Sequence, residues 1–275
     1  MVKYLTLIFF NILLIAAFSL CGCTIDTLGF FVSNDLDIRL KEKNNFRFLS
    51  SGDLTPSFGN EYSFIVLADT HIEDADAWGF ENMEGLLAGN NEIKFVVVLG
   101  DITQSGRRQD IEKFMEITET FNVPCYPVIG NHDIYFDSWS VWQELIGSTM
   151  YKIDGADTTL FILDSANSFF GRQQLDWLEE EIKKTSGRIF VFTHSPLFVG
   201  SPVEMQQVTA TAERARIVSI LRNKCSIMFM GHAHSRYIFE TNNVKFIAIE
   251  DFRSKKIYCI VSVNGTEVNY EFRRL

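Results

Sequence analysis

The residues with the most chemistry in this chain are its histidines. There are five in 275 residues, at positions 71, 132, 194, 232 and 234. Each closely follows an apolar run; His132 stands between Asn131 and Asp133, and His71 two residues after Asp69. The groups are Asp69-Thr70-His71, Gly100-Asp101, Gly130-Asn131-His132-Asp133, His194 and His232-Ala233-His234. A lone histidine is more often a satisfied core or surface residue than a ligand. Five out of five at the ends of apolar runs is hard to attribute to chance. Carboxylate oxygen and neutral imidazole together suit Mn, Fe or Zn, and no thiolate is needed.

Strands of one kind are needed to present these groups. Apolar runs of strand length recur as YSFIVLA at 62–68, FVVVLG at 95–100, CYPVIG at 125–130, RIFVFT at 188–193 and SIMFMG at 226–231. They are continuous rather than alternating, as in strands buried on both faces. Helical patterns at 107–121, 172–184 and 211–223 separate several of them. Strand, helix, strand repetition predicts parallel βαβ units. In open α/β sheets, ligands bind beyond the carboxyl ends of the strands, so five strand ends converge on one crevice. Glycines 100, 130 and 231 are expected to let the backbone turn sharply there. The small Ala233 leaves room for the two imidazoles that flank it. Beyond residue 235, RYIFET, VKFIAIE, KKIYCIVSV and TEVNYEFRR predict four strands added antiparallel to the sheet. Asn264-Gly265 predicts a type I′ hairpin between the last two.

The ordered set D-x-H, G-D, G-N-H-D, H and G-H-x-H resembles the calcineurin-like metallophosphoesterase superfamily. The match runs from residue 64 to about 235, and no motif position is lost. The resemblance implies an α/β fold, a four-layer α/β/β/α sandwich with two metal ions at the strand ends. By the same resemblance Asp69, His71 and His234 hold one metal, and Asp101 bridges both. Asn131, His194 and His232 hold the second. His132 stays off the metals, faces the substrate phosphate and joins Asp101 and Asn131 as catalytic. The implied reaction is hydrolysis of a phosphate mono- or diester by a metal-bridging hydroxide.

Leu163-Asp164-Ser165 and Gln174-Leu175-Asp176-Trp177-Leu178 look like the cyclic-nucleotide phosphodiesterase and purple-acid-phosphatase-like branches. A strand end and an amphipathic helix packing Leu175, Leu178 and Ile182 would need the same residues, and Trp177 is expected to serve packing. Ile102 and Thr103 follow Asp101, with no metal-ligating Tyr of the purple acid phosphatases beside it. Tyr135, Phe136, Trp139 and Trp142 could wall a nucleobase or pack as core and rim.

The N-terminus bears on location. Lys3 precedes an apolar run, Tyr4 to Leu20, with the form of a secretory signal. The run is also near the lower length limit for a membrane span. Leu20-Cys21-Gly22-Cys23 resembles the bacterial lipobox, which implies a signal peptide at 1–22 and a lipidated Cys23. A spacer at 23–60, with room for one short helix, would then lead to a domain at 61–275. The expected location is the bacterial cell envelope, lipid-anchored and outside the cytoplasm. Cys125, Cys225 and Cys259 lie in or beside apolar runs and are expected to be buried free thiols.

Composition narrows the partners. With 47% hydrophobic and 22% charged residues, the chain is not disordered. Its 25 Phe predict an aromatic-rich core. A formal charge of −10 disfavours long nucleic acid. It does not disfavour a small phosphorylated substrate, because a metal reverses the local field. Two rival functions are a scaffold on an inactive phosphoesterase fold and a nuclease for short oligonucleotides. The first should have lost ligands, and the second should carry more basic surface.

Overall fold

The computed structural model describes residues 36–41, 45–47, 58–74, 76–199 and 207–275. The expected signal segment and Cys23 lie outside these. No helix among the described residues is long and apolar enough to cross a membrane.

Two mixed sheets form the centre. The first has the order β11-β10-β1-β2-β3 and the second β4-β5-β6-β7-β9-β8. In the first, β1 (Glu61–Leu67), β2 (Ile93–Leu99) and β3 (Cys125–Val128) are parallel, and β10 (Ile257–Asn264) and β11 (Glu267–Arg274) extend the sheet antiparallel. In the second, β5 (Thr158–Ile162), β6 (Arg188–Phe192), β7 (Cys225–Met230) and β9 (Val244–Ala248) are parallel. The edges β4 (Tyr151–Asp154) and β8 (Tyr237–Thr241) run antiparallel to them.

The continuous apolar runs arise because each central strand is covered on both sides. Phe64 and Val66 of β1, Phe95 and Val97 of β2, Phe190 and Phe192 of β6 and Phe229 of β7 point into the layer between the sheets. Ile65, Leu67, Val96 and Val98 point the other way, toward the helices Met83–Ala88, Arg108–Glu119 and Trp139–Leu145. Val191, Met228 and Met230 meet the helices Arg172–Lys184 and Thr211–Leu221. The result is the expected α/β/β/α sandwich. Phenylalanine dominates its middle: the Phe64 ring stacks on Phe95 at 4.5 Å and meets Phe190 edge-on at 5.0 Å. Each such fully buried ring contributes roughly 1.5–3 kcal/mol by removal from water. Cys125, Cys225 and Cys259 are buried free thiols, as expected.

The C-terminal strands differ from expectation. They divide between the two sheets, and β9 pairs parallel with β7 rather than antiparallel. The hairpin at the end exists, but Asn264 pairs with Glu267, so Gly265-Thr266 forms the loop. Gly265 alone has positive φ there, the pattern of a turn with Gly first rather than of type I′. Register is decided by burial: Val261 and Val263 must face the inter-sheet layer, and a slip of one residue would turn them out.

The segment before the first strand is not detached from the domain. The short helix Leu36–Arg39 has Leu36, Arg39 and Leu40 buried, with Leu36 and Leu40 packed on Met150 and the partly buried Phe169 and Trp177. Phe46 bridges to Gly147, and Phe58 enters the inter-sheet core. Trp177 packs edge-on against Phe161 at 5.8 Å, as its place on an amphipathic helix required.

Candidate functional site

The eight predicted site residues all meet at the carboxyl ends of β1, β2, β3, β6 and β7. The first three strands belong to one sheet and the last two to the other, so the site lies across the seam of the sandwich. The backbone leaves these strands in an uncommon way. Asp69, His71, Asp101, His232 and His234 have φ of 58°, 46°, 48°, 64° and 49°. Left-handed backbone at a non-glycine residue costs of order 1–3 kcal/mol, so five such residues in one place mark a site held in shape by its surroundings.

The glycines work partly as expected. Gly100 has φ of 83° and sits so close to His194 that an added Cβ would lie 2.6 Å from the ring Nδ1. Gly130 needs space rather than freedom of φ: a Cβ there would fall 2.1 Å from the Asp101 amide nitrogen.

Among the described residues, three overlapping clusters could hold metal ions. They are Asp69/His71/His234, His71/Asp101/His132 and Asp101/His194/His232, each with its ligand atoms within 4.8 Å of one another. The two histidines around Ala233 thus serve different clusters. Asp101 joins the clusters through different oxygens. Its Oδ1 is 3.3 Å from His194 Nε2, while Oδ2 is 3.9 Å from both His71 Nε2 and His132 Nε2.

The donors fit a cation better than they fit each other. His194 Nδ1 donates to the Leu99 carbonyl at 2.8 Å, which leaves Nε2 a lone pair in the neutral ring. Around that nitrogen stand Asn131 Oδ1 at 3.0 Å, His232 Nδ1 at 3.0 Å and Asp101 Oδ1 at 3.3 Å. One added proton satisfies only one of these contacts, whereas a cation satisfies all four donors. In the other cluster His71 Nε2 and His234 Nε2 face each other at 3.4 Å, with Asp69 Oδ1 3.6 Å from His234. His71 Nδ1 is buried without a hydrogen-bond partner among the described residues.

Electrostatics without an ion record the same crowding. Burial opposes charge on His194, yet the Asp101 carboxylate lifts its pKa to about 9. Burial, reinforced by His194, drives His232 down to about 3. His71 is also held down by burial, while the Asp69 carboxylate 3.6 Å away raises His234. Burial pushes Asp101 up, but His194 and His132 hold it well below the usual carboxylate range.

His132 is placed differently. Its Nδ1 is 2.7 Å from the Gln104 carbonyl and therefore carries the proton that this contact needs. Its backbone N–H donates to Asp101 Oδ1 at 2.9 Å. The side chain is 24% exposed, more than His71 at 4% and His194 at 0% but less than His234 at 48%, so part of its ring meets solvent.

Three supporting residues had no such role assigned from the sequence, although Asp133 closes the Gly130-Asn131-His132-Asp133 group and Tyr135 belongs to the expected aromatic wall. Asp133 accepts from the backbone N–H of Ile102, Thr103 and Gly130 and from the Thr103 hydroxyl, tying the β2 and β3 loops together. Burial, with the Asp101 charge, pushes its pKa up to about 7. Tyr135 accepts from Asn131 Nδ2 at 2.5 Å, which turns the Asn131 oxygen toward His194. Gln104 matters through its carbonyl, which any residue type would supply. The aromatic wall is divided: Trp139 and Trp142 are core, Tyr135 is in the site, and Phe136 is 74% exposed beyond it.

Comparison with known proteins agrees with this geometry. Residues 62–236 match the family model described as Calcineurin-like phosphoesterase. A probable cyclic nucleotide phosphodiesterase of Fibrobacter succinogenes is 25% identical over 190 residues, covering 62% of this chain and 71% of that protein. A dimetal phosphatase from Danio rerio superimposes with a TM-score of 0.62 at 14% identity, over 78% of this chain and 96% of that one. The purple acid phosphatase PPD1 of yellow lupin seeds gives 0.65 at 12% identity, over 80% of this chain and 52% of that one. With the family model spanning more than half its length, this chain belongs to the calcineurin-like phosphoesterase family and is a phosphoric ester hydrolase.

Proposed function

We propose that the chain hydrolyses phosphate esters at a dinuclear metal centre, with small phosphodiesters as the leading substrate class. The observation that carries the reading is Asp101, whose two oxygens face different ligand clusters. In this reading Asp69, His71 and His234 hold one ion, Asn131, His194 and His232 the other, and Asp101 both. Two divalent ions there would draw charge from the phosphoryl oxygens and lower the pKa of a water. His132, fixed by Gln104, presents Nε2 to the substrate and donates a proton to the leaving oxygen. Tyr135 keeps the Asn131 amide oriented, and Asp133 keeps the two loops at a fixed spacing.

The name of the Fibrobacter relative supports the diester class. The formal charge of −10 supports small substrates over long nucleic acid. A scaffold role is disfavoured because every ligand position is filled. The test is a hydrolysis panel on the protein with Mn, Fe, Zn or no added metal. It should contain bis-p-nitrophenyl phosphate, p-nitrophenyl phosphate, cyclic nucleotides and a lipid phosphodiester. Metal-dependent cleavage of the diesters is expected, and the reading fails if no ester is cleaved with any metal.

The proposal extends to location: residues 1–22 are a signal peptide, Cys23 carries lipid, and the domain from residue 61 works outside the cytoplasm. Cys23→Ser should abolish incorporation of labelled acyl chains and leave the precursor uncleaved. Continued labelling of that variant would show that Cys23 is not the anchor.

A further inference from the structure

Arg39 is fully buried, although it belongs to the short N-terminal segment ahead of the catalytic domain. Its Nε and Nη2 reach the two oxygens of Asp164 at 2.7 and 3.0 Å, and Nη2 also reaches Asn167 Oδ1 at 2.5 Å. Asp164 is itself fully buried and accepts from the Ala166 N–H, while Gln174 bonds both its backbone N–H and its carbonyl. The next residue, Ser165, grips the end of β6 on both sides of His194. Its hydroxyl lies 2.7 Å from the Thr193 hydroxyl and accepts from the Ser195 N–H at 2.8 Å. Its carbonyl accepts from the Ser195 hydroxyl at 2.8 Å.

The residue between Thr193 and Ser195 is the one that needs the most exact placement, since three donors converge on its Nε2. We infer that Arg39 is a positioning residue for His194: docking of the N-terminal segment sets the Asp164-Ser165 loop, and that loop sets the His194 cluster for metal binding. The inference rests on the proposed metal assignment. A buried carboxylate that loses its strong cation partner does not keep its geometry, because an unpaired buried charge must protonate, draw in water or move. The fork of Arg39 also cannot be replaced by a point charge without losing one of its contacts. The other cluster, Asp69/His71/His234, has no bond to Ser165, so the effect should be confined to one site.

The test is Mn²⁺ titration of the metal-stripped full chain in detergent, followed by electron paramagnetic resonance and calorimetry, with thermal melts to establish folding. Wild type should bind two ions, and His232→Ala identifies the site of the second. Arg39→Met should weaken that site by about 10–100-fold, the scale for outer partners of a metal site, and leave the first unchanged. Arg39→Lys should fall between. If Arg39→Met does not fold, Ser165→Ala carries the decision, since it leaves the Arg39–Asp164 pair intact and should give the same one-sided loss. Equal weakening of both sites, or none, in the folded variant overturns the coupling alone. A wild-type chain that binds no Mn²⁺ overturns the proposed centre and the coupling with it.

Discussion

Asp101→Asn is expected to lose one metal ion per chain and nearly all activity, while staying folded. The substitution keeps the shape and one carbonyl oxygen, so the bond from the His132 N–H, now 2.9 Å to Oδ1, has an acceptor still. It removes the negative charge that faces His194 on one side and His71 and His132 on the other. An amide offers one oxygen where the proposed centre needs two. The loss in kcat/KM should be at least about 10³-fold, because even outer partners of a metal site are worth about 10–100-fold. Burial works against the Asp101 carboxylate, but the surrounding histidines hold its pKa well below the usual range, so the neutral variant gives up that stabilisation and should melt lower than the wild type when both are stripped of metal. Elemental analysis and thermal melting of the purified variant decide the matter. Full metal content in a folded Asp101→Asn protein would show that Asp101 does not bridge.

His132→Ala should behave in the opposite way, with both metals kept and the rate lost. The contact that His132 makes with Asp101 at close range is through its backbone N–H, which alanine retains. What disappears is a partly exposed ring held by the Gln104 carbonyl at 2.7 Å. General acid catalysis is worth roughly 10²–10⁴-fold, so cleavage of an alkyl ester with a poor leaving group should fall by that amount. A p-nitrophenyl ester needs little protonation of its leaving oxygen, and its rate should fall much less. Equal loss on both substrates would instead assign His132 to charge stabilisation on the phosphoryl group. Loss of metal would make it a ligand through the cluster it shares with His71 and Asp101, against the proposed role.

The sequence by itself determined the five apolar strands that carry the site, three of the helices between strands and the identity of the polar residues at the strand ends; the helices Met83–Ala88 and Trp139–Leu145 and the edge strand Tyr151–Asp154 were not legible in it. That information is local: an apolar run buried on both faces has to be uninterrupted, and the residue that ends it has to be polar. The helices predicted at 107–121, 172–184 and 211–223 lie at 108–119, 172–184 and 211–221 for the same reason. Tertiary structure decided which histidine meets which carboxylate, because the site is assembled from two sheets whose packing no local pattern encodes. It put His232 beside His194 and His234 beside His71, although only Ala233 separates them in the chain. It also gave three residues their supporting roles: Asp133 through neighbours about 30 residues away, Tyr135 through the Asn131 amide, and Gln104 through a backbone carbonyl common to all residues. The same holds for Arg39. In the chain it is one basic residue in a polar stretch, and only a buried Asp164, 125 positions later, makes it part of the core. The type of the final turn followed suit: Asn-Gly favours one geometry locally, but burial of Val261 and Val263 outweighs that preference and sets the register.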